Sequence, residues 1–322
     1  MQKDGQNKDF YLIKKMEVQE ICIEKMAEKY HYPVMYREVI ELLKIKNRKI
    51  VMDCTTGIGS HAYKFLEVMD SDASLIGIDR DHDSLDVATQ RLKSFEGRFT
   101  LIKENFINLD KTLNSLGIKS IDAFLFDLGI STYQLSNPKR GFSFQKDGPL
   151  DMRMDDDAFL SAYDLVNNLS GIELGNIFRK FGEERYFRRI ARSLVEARRV
   201  EPISSTTQLA QIISDSVPLK ARHQRIHPAT RVFQSLRIAV NRELEILGPA
   251  ISKAIPFLNK GGRIGVISFH SLEDRIVKHT FKEFSTQGIL KIITKKPLVP
   301  VDSEKEENTP SRSAKLRVAE KI

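Results

Sequence analysis

Two glycines and two acids in one short stretch carry the first chemical signal of the chain. An apolar run ends at Asp53, Gly57 and Gly59 follow at Asp-x-x-x-Gly-x-Gly spacing, and a second apolar run ends at Asp79, twenty residues past the second glycine. In a nucleotide-binding βαβ unit, that distance brings a carboxylate to a ribose diol. The first glycine permits a sharp turn off the strand, and the second lets a ligand lie against bare backbone. A nucleoside is therefore expected across the strand tips. What is missing narrows the choice. Position 62 is alanine rather than the third glycine of a dinucleotide fingerprint, and no Gly-Lys-Ser/Thr follows, so nothing here is built for a pyrophosphate. A phosphate-free ligand with methionine-like ends held by backbone and an acid suits the pattern, and S-adenosylmethionine fits it best. The plainer alternative is a turn in an unrelated α/β protein.

A second stretch is denser still. Asp127-Leu-Gly-Ile-Ser-Thr-Tyr-Gln134 is followed by Arg140-Gly-Phe-Ser-Phe-Gln-Lys-Asp147-Gly-Pro-Leu-Asp151-Met-Arg-Met154. No periodicity explains it. Glycines, aromatics and charges packed this closely describe a loop shaped for a ligand, since a plain linker gains nothing from Phe142 and Phe144 beside Arg140 and Arg153.

These residues need elements to hold them. Helical periodicity over residues 34–43 precedes the first strand, a helix over 60–68 follows it, and then come a strand over 74–78, a helix over 83–95 and a strand over 99–102. After a short helix, residues 121–126 read as a buried strand ending at Asp127. Alternation of this kind means a parallel sheet with right-handed crossovers. Residues 136–235 are instead mostly helical and strongly basic, with helices expected over 158–167, 171–181, 183–199 and 206–215. A long helical stretch from about 229 leads to a strand over 263–268, a helix over 272–284 and a strand over 289–294. A charged linker over 301–310 precedes a last alternating run, 313–319. The reading is an N-terminal extension at 1–30, a sheet domain formed by 31–135 and 236–322, and a helical insertion at 136–235.

Composition sets the outer bounds. A net charge of +8, from 51 basic and 43 acidic residues, favours a polyanionic partner. The two cysteines, Cys22 and Cys54, form no CxxC, so neither a disulfide framework nor a zinc ribbon is available and a reducing cytoplasm is the expected setting. Acids throughout the first thirty residues argue against a transit peptide, and no apolar run is long enough for a membrane span.

Along most of its length the chain closely resembles the RsmH (MraW) family, bacterial S-adenosylmethionine-dependent methyltransferases that modify N4 of a cytosine, at position 1402, in 16S ribosomal RNA. The likeness rests on RGFSF and DGPLDMRM in the loop above, on Phe181-Gly-Glu-Glu-Arg185, on His227-Pro-Ala-Thr-Arg-Val-Phe-Gln-Ser-Leu-Arg-Ile-Ala-Val-Asn241, on Ser268-Phe-His-Ser-Leu-Glu-Asp-Arg-Ile-Val-Lys278 and on Arg312-Ser-Ala-Lys-Leu-Arg317. It implies a Rossmann-like class I methyltransferase sheet with a helical, RNA-recognising insertion. It further implies cofactor contacts at Gly59, Ser60, His61, Asp79, Phe106, Asp127 and Gln134, with Gly57 added by the turn itself. The implied partner is 16S ribosomal RNA within the small subunit; no membrane partner is expected, and a homodimer is compatible. Three positions depart from the family: Ser60 where glycine is usual, Tyr133 where proline is usual and Ser311 where arginine is usual. None removes a group that the chemistry needs.

The residues bear on the reaction independently. A ring-carbon pyrimidine methyltransferase needs a cysteine to attack C6, yet Cys54 lies inside the cofactor motif and Cys22 in the extension. An exocyclic amine or a hydroxyl can instead attack the sulfonium methyl in one in-line displacement. The lone pair of the N4 amine is delocalised into its ring, so an acceptor must draw on an N–H. Asp127 at the fourth strand tip is the favoured acceptor, though a cofactor contact is also open to it; Asp147 and Asp151 are the other candidates. The remaining open readings are a 2′-O or other exocyclic-amine RNA methyltransferase, and a silent RNA-binding assembly factor. His61 either caps its helix or meets the cofactor, and His270 either makes a structural bond or meets substrate. Glu273 and Asp274 lack the helix-face spacing of metal ligands, so no metal is expected. Arg185, Arg188, Arg189, Arg192, Arg198 and Arg199 form either a solvated face or a phosphate-facing one, and Phe142 and Phe144 either anchor the loop or stack on a base.

Overall fold

The computed structural model describes residues 32–322 apart from His223 and Arg225; the extension over 1–30, with Cys22, lies outside the described residues. Seven strands form one sheet: β1 (Ile50–Asp53), β2 (Ser74–Asp79), β3 (Phe99–Lys103), β4 (Ile121–Asp127), β5 (Leu258–Ser268), β6 (Leu290–Ile292) and β7 (Lys315–Lys321). Their order is β3-β2-β1-β4-β5-β7-β6. Strands β1 to β5 pair in parallel, whereas β7 runs antiparallel to both β5 and β6. The parallel pairing expected of the alternating part, β1 to β4, is present, and the antiparallel pairs lie at the C-terminal edge. No long crossover helix separates β6 from β7, and an antiparallel return does not need one.

Why these runs become strands is visible in their burial. Met52, Ile76, Phe124 and Phe126 pack into one apolar cluster, while Val51, Leu75, Ala123 and Leu125 pack into another. Neighbours in sequence thus face opposite sides, and helices cover both, which is why the central strands read as unbroken apolar runs. The flanking helices are α1 (Tyr36–Leu43), α2 (Ser60–Val68), α3 (His82–Arg91), α4 (Leu109–Ser115) and α5 (Thr132–Ser136) before the insertion. A third cluster gathers apolar side chains from Phe142 to Leu236. Its helices are α6 (Ala162–Asn168), α7 (Gly171–Gly182), α8 (Phe187–Ala197), α9 (Thr206–Ser216), α10 (Leu219–Arg222) and α11 (Ala229–Asn241). Ser161 and Ser170 begin α6 and α7 with reciprocal capping boxes to Asp164 and Glu173, so α6 starts later than expected.

The helix expected over 183–199 forms over a shorter span, as α8, after Glu183 ends α7 in a left-handed conformation at φ 48°. Arg242, at φ 52°, likewise separates α11 from α12 (Glu243–Phe257). After β5 comes α13 (Ser271–Thr286), and the charged segment expected as a linker contains α14 (Asp302–Glu307). Among the described residues, no helix is long and apolar enough to cross a membrane.

Candidate functional site

At β1 the strand order reverses between β2 and β4, which opens a crevice beyond the carboxyl ends of the strands. A cavity of about 590 Å³ occupies it, lined by the loops after β1 to β5 and by Met154 and Thr230 from the helical block. Gly57 turns off β1 at φ +51° and donates its N–H to Asp79 Oδ2 at 2.7 Å, while Asp79 Oδ1 accepts from Asp81 N at 2.9 Å. One carboxylate at the tip of β2 therefore braces both loops on the cavity wall. Burial raises its pKa, the two N–H bonds acting against that rise.

Gly59 has a neighbour that its spacing does not predict. At φ +77°, it stands where a Cβ would lie 3.2 Å from Ala88 Cβ, so its bareness admits α3. Its neighbours Ser60 and His61 do line the cavity, and Gly59 does not. Ser60 accepts a bond from Arg91 at 2.7 Å, so its Oγ already has a partner. Ser311, the third departure from the family, is buried and donates toward the Glu304 carbonyl at 3.4 Å.

His61 does not cap α2, whose N-cap is Gly59. Its Nε2 lies 3.0 Å from the Val34 carbonyl and its Nδ1 3.3 Å from Asp127 Oδ2. Asp127 sits at the tip of β4, its backbone N–H held by Thr55 Oγ1 at 2.6 Å. Two carboxylate oxygens here, Asp53 Oδ2 and Asp127 Oδ1, are buried and meet no donor. Burial pushes the Asp53 carboxyl up to about 7. Asp127 lines the cavity and Asp53 does not, so only the acid at the tip of β4 is placed to accept an N–H that a ligand brings. Phe106, after β3, adds an apolar wall and packs edge-on against Phe126 at 5.8 Å.

The structure also contains a hub not anticipated from the sequence. Asp81, 1% exposed, accepts from Ser84 at 2.8 Å, Gln134 Nε2 at 2.6 Å and Arg140 Nη1 at 3.0 Å. Gln134 also closes the capping box of α5 with Ser131, so its amide is engaged while it lines the cavity. Arg140 donates to the Arg153 and Met154 carbonyls at 3.0 and 3.1 Å. It fixes the loop to the sheet rather than closing on a base. Asp81, Asp83 and Asp156 could together surround an ion, but the Arg140 guanidinium stands 3.0, 3.7 and 3.2 Å from them.

Two proposed acceptors are not brought to the cavity. Asp147 is bonded to Thr207 at the start of α9, and Asp151 holds Arg153 through bonds of 2.9 and 2.7 Å; neither lines the cavity. Each is satisfied by a local partner, which lowers both carboxyl pKa values: Thr207 acts on Asp147, and Arg153 outweighs the effect of burial at Asp151. Phe142 is buried in the insertion core, and Phe144 packs on His227 and Phe233 at 4.7 and 4.9 Å, so both anchor the loop. His270 caps α13 with Glu273, and Asp274 is paired with Arg317 at 2.6 Å. Arg198 is tied to the Val166 and Leu169 carbonyls. Arg185, Arg188, Arg189, Arg192 and Arg199 remain exposed.

The model of the MraW methylase family matches residues 28–322. The ribosomal RNA small subunit methyltransferase H of Persephonella marina is 48% identical over 292 residues, covering 91% of this chain and 99% of the relative. The protein of the same name from Halothermothrix orenii is 46% identical over 307 residues, covering 91% and 98%. A solved rRNA methylase from Streptococcus thermophilus aligns with a TM-score of 0.41 at 14% identity, covering 89% of this chain and 93% of the other.

Proposed function

Since the chain belongs to the MraW methylase family and its cofactor is S-adenosylmethionine, we propose that it methylates the N4 amine of a cytosine in 16S ribosomal RNA. Residues 31–135 and 236–322 form the methyltransferase domain in this reading, residues 136–235 recognise RNA, and the protein works in the cytoplasm. The observation that carries the choice of amine is the Asp127 carboxylate. It lies on the cavity wall at the tip of β4, its side chain 23% exposed, with Oδ1 buried and Oδ2 left as the oxygen that an N–H can reach.

When bound, S-adenosylmethionine supplies an electrophilic methyl group on a sulfonium. Asp79 and the Gly57 turn would hold its ribose, and Phe106 its apolar face. Asp127 then accepts an N–H of the target amine and draws electron density back onto the nitrogen. Burial pushes the Cys54 thiol well up, which suppresses the thiolate that a ring-carbon reaction needs and supports the amine. A cytosine within folded RNA must be drawn out to reach this cavity. The exposed arginines of α8 would meet its phosphates. Digestion of methylated 16S RNA and identification of the nucleoside by mass tests the reading: N4-methylcytidine is expected, and a 2′-O-methylated or ring-carbon product refutes it.

A further inference from the structure

We propose that His61 and Asp127 act as one proton-holding pair, in which the proton shed by the attacking amine comes to rest between Asp127 Oδ2 and His61 Nδ1. The inference rests on the amine reading above and adds where its proton goes. The Val34 carbonyl fixes the tautomer of His61. His61 Nε2 lies 3.0 Å from the Val34 carbonyl oxygen, which can only accept, so Nε2 must carry a hydrogen. Nδ1 then points at Asp127 Oδ2 across 3.3 Å. In the neutral ring, Nδ1 is a lone pair facing a carboxylate oxygen, and the contact is completed only when one proton lies between them.

The frame keeps that gap in place. His61 is fixed in the first turn of α2 and Asp127 at the end of β4, where Thr55 holds its backbone N–H. Asp127 Oδ1 is buried, so Oδ2 is the oxygen left for a ligand. The charged groups bearing on the ring are Asp127 from β4, Asp53 from β1 and Glu304 from α14. All are acids. Burial opposes the imidazolium, but Asp127 and then Asp53 outweigh it, and the ring titrates above its ordinary range.

The step balances. N4 forms its bond to the methyl carbon with its own lone pair, the methyl–sulfur bond breaks with its pair left on sulfur, and one N–H proton passes to Asp127 Oδ2. There Nδ1 shares or takes it. A pair already loaded with a proton cannot receive another, so turnover must wait for that proton to leave.

The test is a single-turnover methylation profile from about pH 6 to about pH 9, with saturating cofactor and RNA, on wild type and His61→Gln. Glutamine can hydrogen-bond but cannot take up the proton. Wild type should show a rate that climbs with pH to a midpoint above the ordinary histidine range. The variant should lose that limb and run about a hundredfold slower at the plateau, at an S-adenosylmethionine concentration that calorimetry shows to saturate each protein. An unaltered limb in folded His61→Gln overturns the pair. If the variant does not fold, the wild-type profile decides alone: a flat profile overturns the proposal, and the raised midpoint supports it. Failure of the amine reading looks different, because the product nucleoside would then not be N4-methylcytidine; N4-methylcytidine made with an unaltered profile defeats only the pair.

Discussion

Replacing Asp79 by alanine separates the structural work of this carboxylate from its work on the cofactor. In the protein it accepts from Gly57 N at 2.7 Å and from Asp81 N at 2.9 Å. Removing it leaves two N–H groups short of an acceptor, at about 1 to 3 kcal/mol each. Relief of a buried carboxylate, whose burial raises its pKa, returns part of that, so a net loss of about 2 kcal/mol is expected. A domain with about 5 to 15 kcal/mol of stability survives this. The cofactor loses more. Bonds from a carboxylate to two ribose hydroxyls are worth about 1.5 to 3 kcal/mol each, so affinity should fall at least about tenfold. Urea unfolding followed by circular dichroism checks the first number, and calorimetric titration with S-adenosylmethionine checks the second. Unchanged affinity in the folded variant would refute the ribose assignment, whatever the stability shows.

Three further expectations follow from the same geometry. Asp127→Asn should bind cofactor yet methylate about a hundredfold more slowly in single turnover, since an amide is the poorer acceptor; a near wild-type rate would end the acceptor role. Asp53, with a carboxyl raised to about 7, binds its proton more tightly folded than unfolded, so its contribution is full at low pH and is lost as pH rises from about 4 to about 7. Asp53→Asn should flatten that slope, removing a penalty of up to about 4 kcal/mol at pH 8, as read from unfolding at each pH; an unchanged slope would show that Asp53 does not titrate there. Finally, Arg188, Arg189 and Arg192 replaced together by serine should weaken RNA binding and reduce its dependence on salt, with cofactor affinity intact. A salt slope equal to wild type would make α8 a solvated face.

The sheet was legible because its central strands are buried on both sides, so their apolar runs have no competing helical reading, and Asp79 and Asp127 fall at strand ends as a result. What was hidden depended on partners distant in sequence or on single dihedral angles. Arg242 lies inside one long helical pattern, and nothing local announces its left-handed turn. Asp81 looks like one more acid in Asp79-Arg-Asp81-His-Asp83 until Gln134 and Arg140 arrive from another part of the chain. Asp147 and Asp151 carry the right group for proton acceptance, yet Thr207 and Arg153 had already claimed them. The approach of Ala88 to Gly59 likewise shows only once α3 is in place. Phe142 and Phe144 had two readings, and only packing chose between them.

The register of β4 against β5 has a consequence for how the molecule forms. Asp127 pairs with Ile267 in parallel, with the entire helical block between them in the chain. Contacts that far apart form slowly, while helices that meet sequence neighbours form quickly. The closure entropy grows only with the logarithm of loop length, so the block does not prevent the seam from closing; once folded, it also brings the two strand ends nearer. Helices α6 to α11 should therefore gain protection first in a refolding experiment, and the β4–β5 seam later. A chain halted midway would hold folded helices while the cavity still lacked the wall that Phe269 and Glu273 supply after β5, so a fully enclosed crevice marks the end of folding.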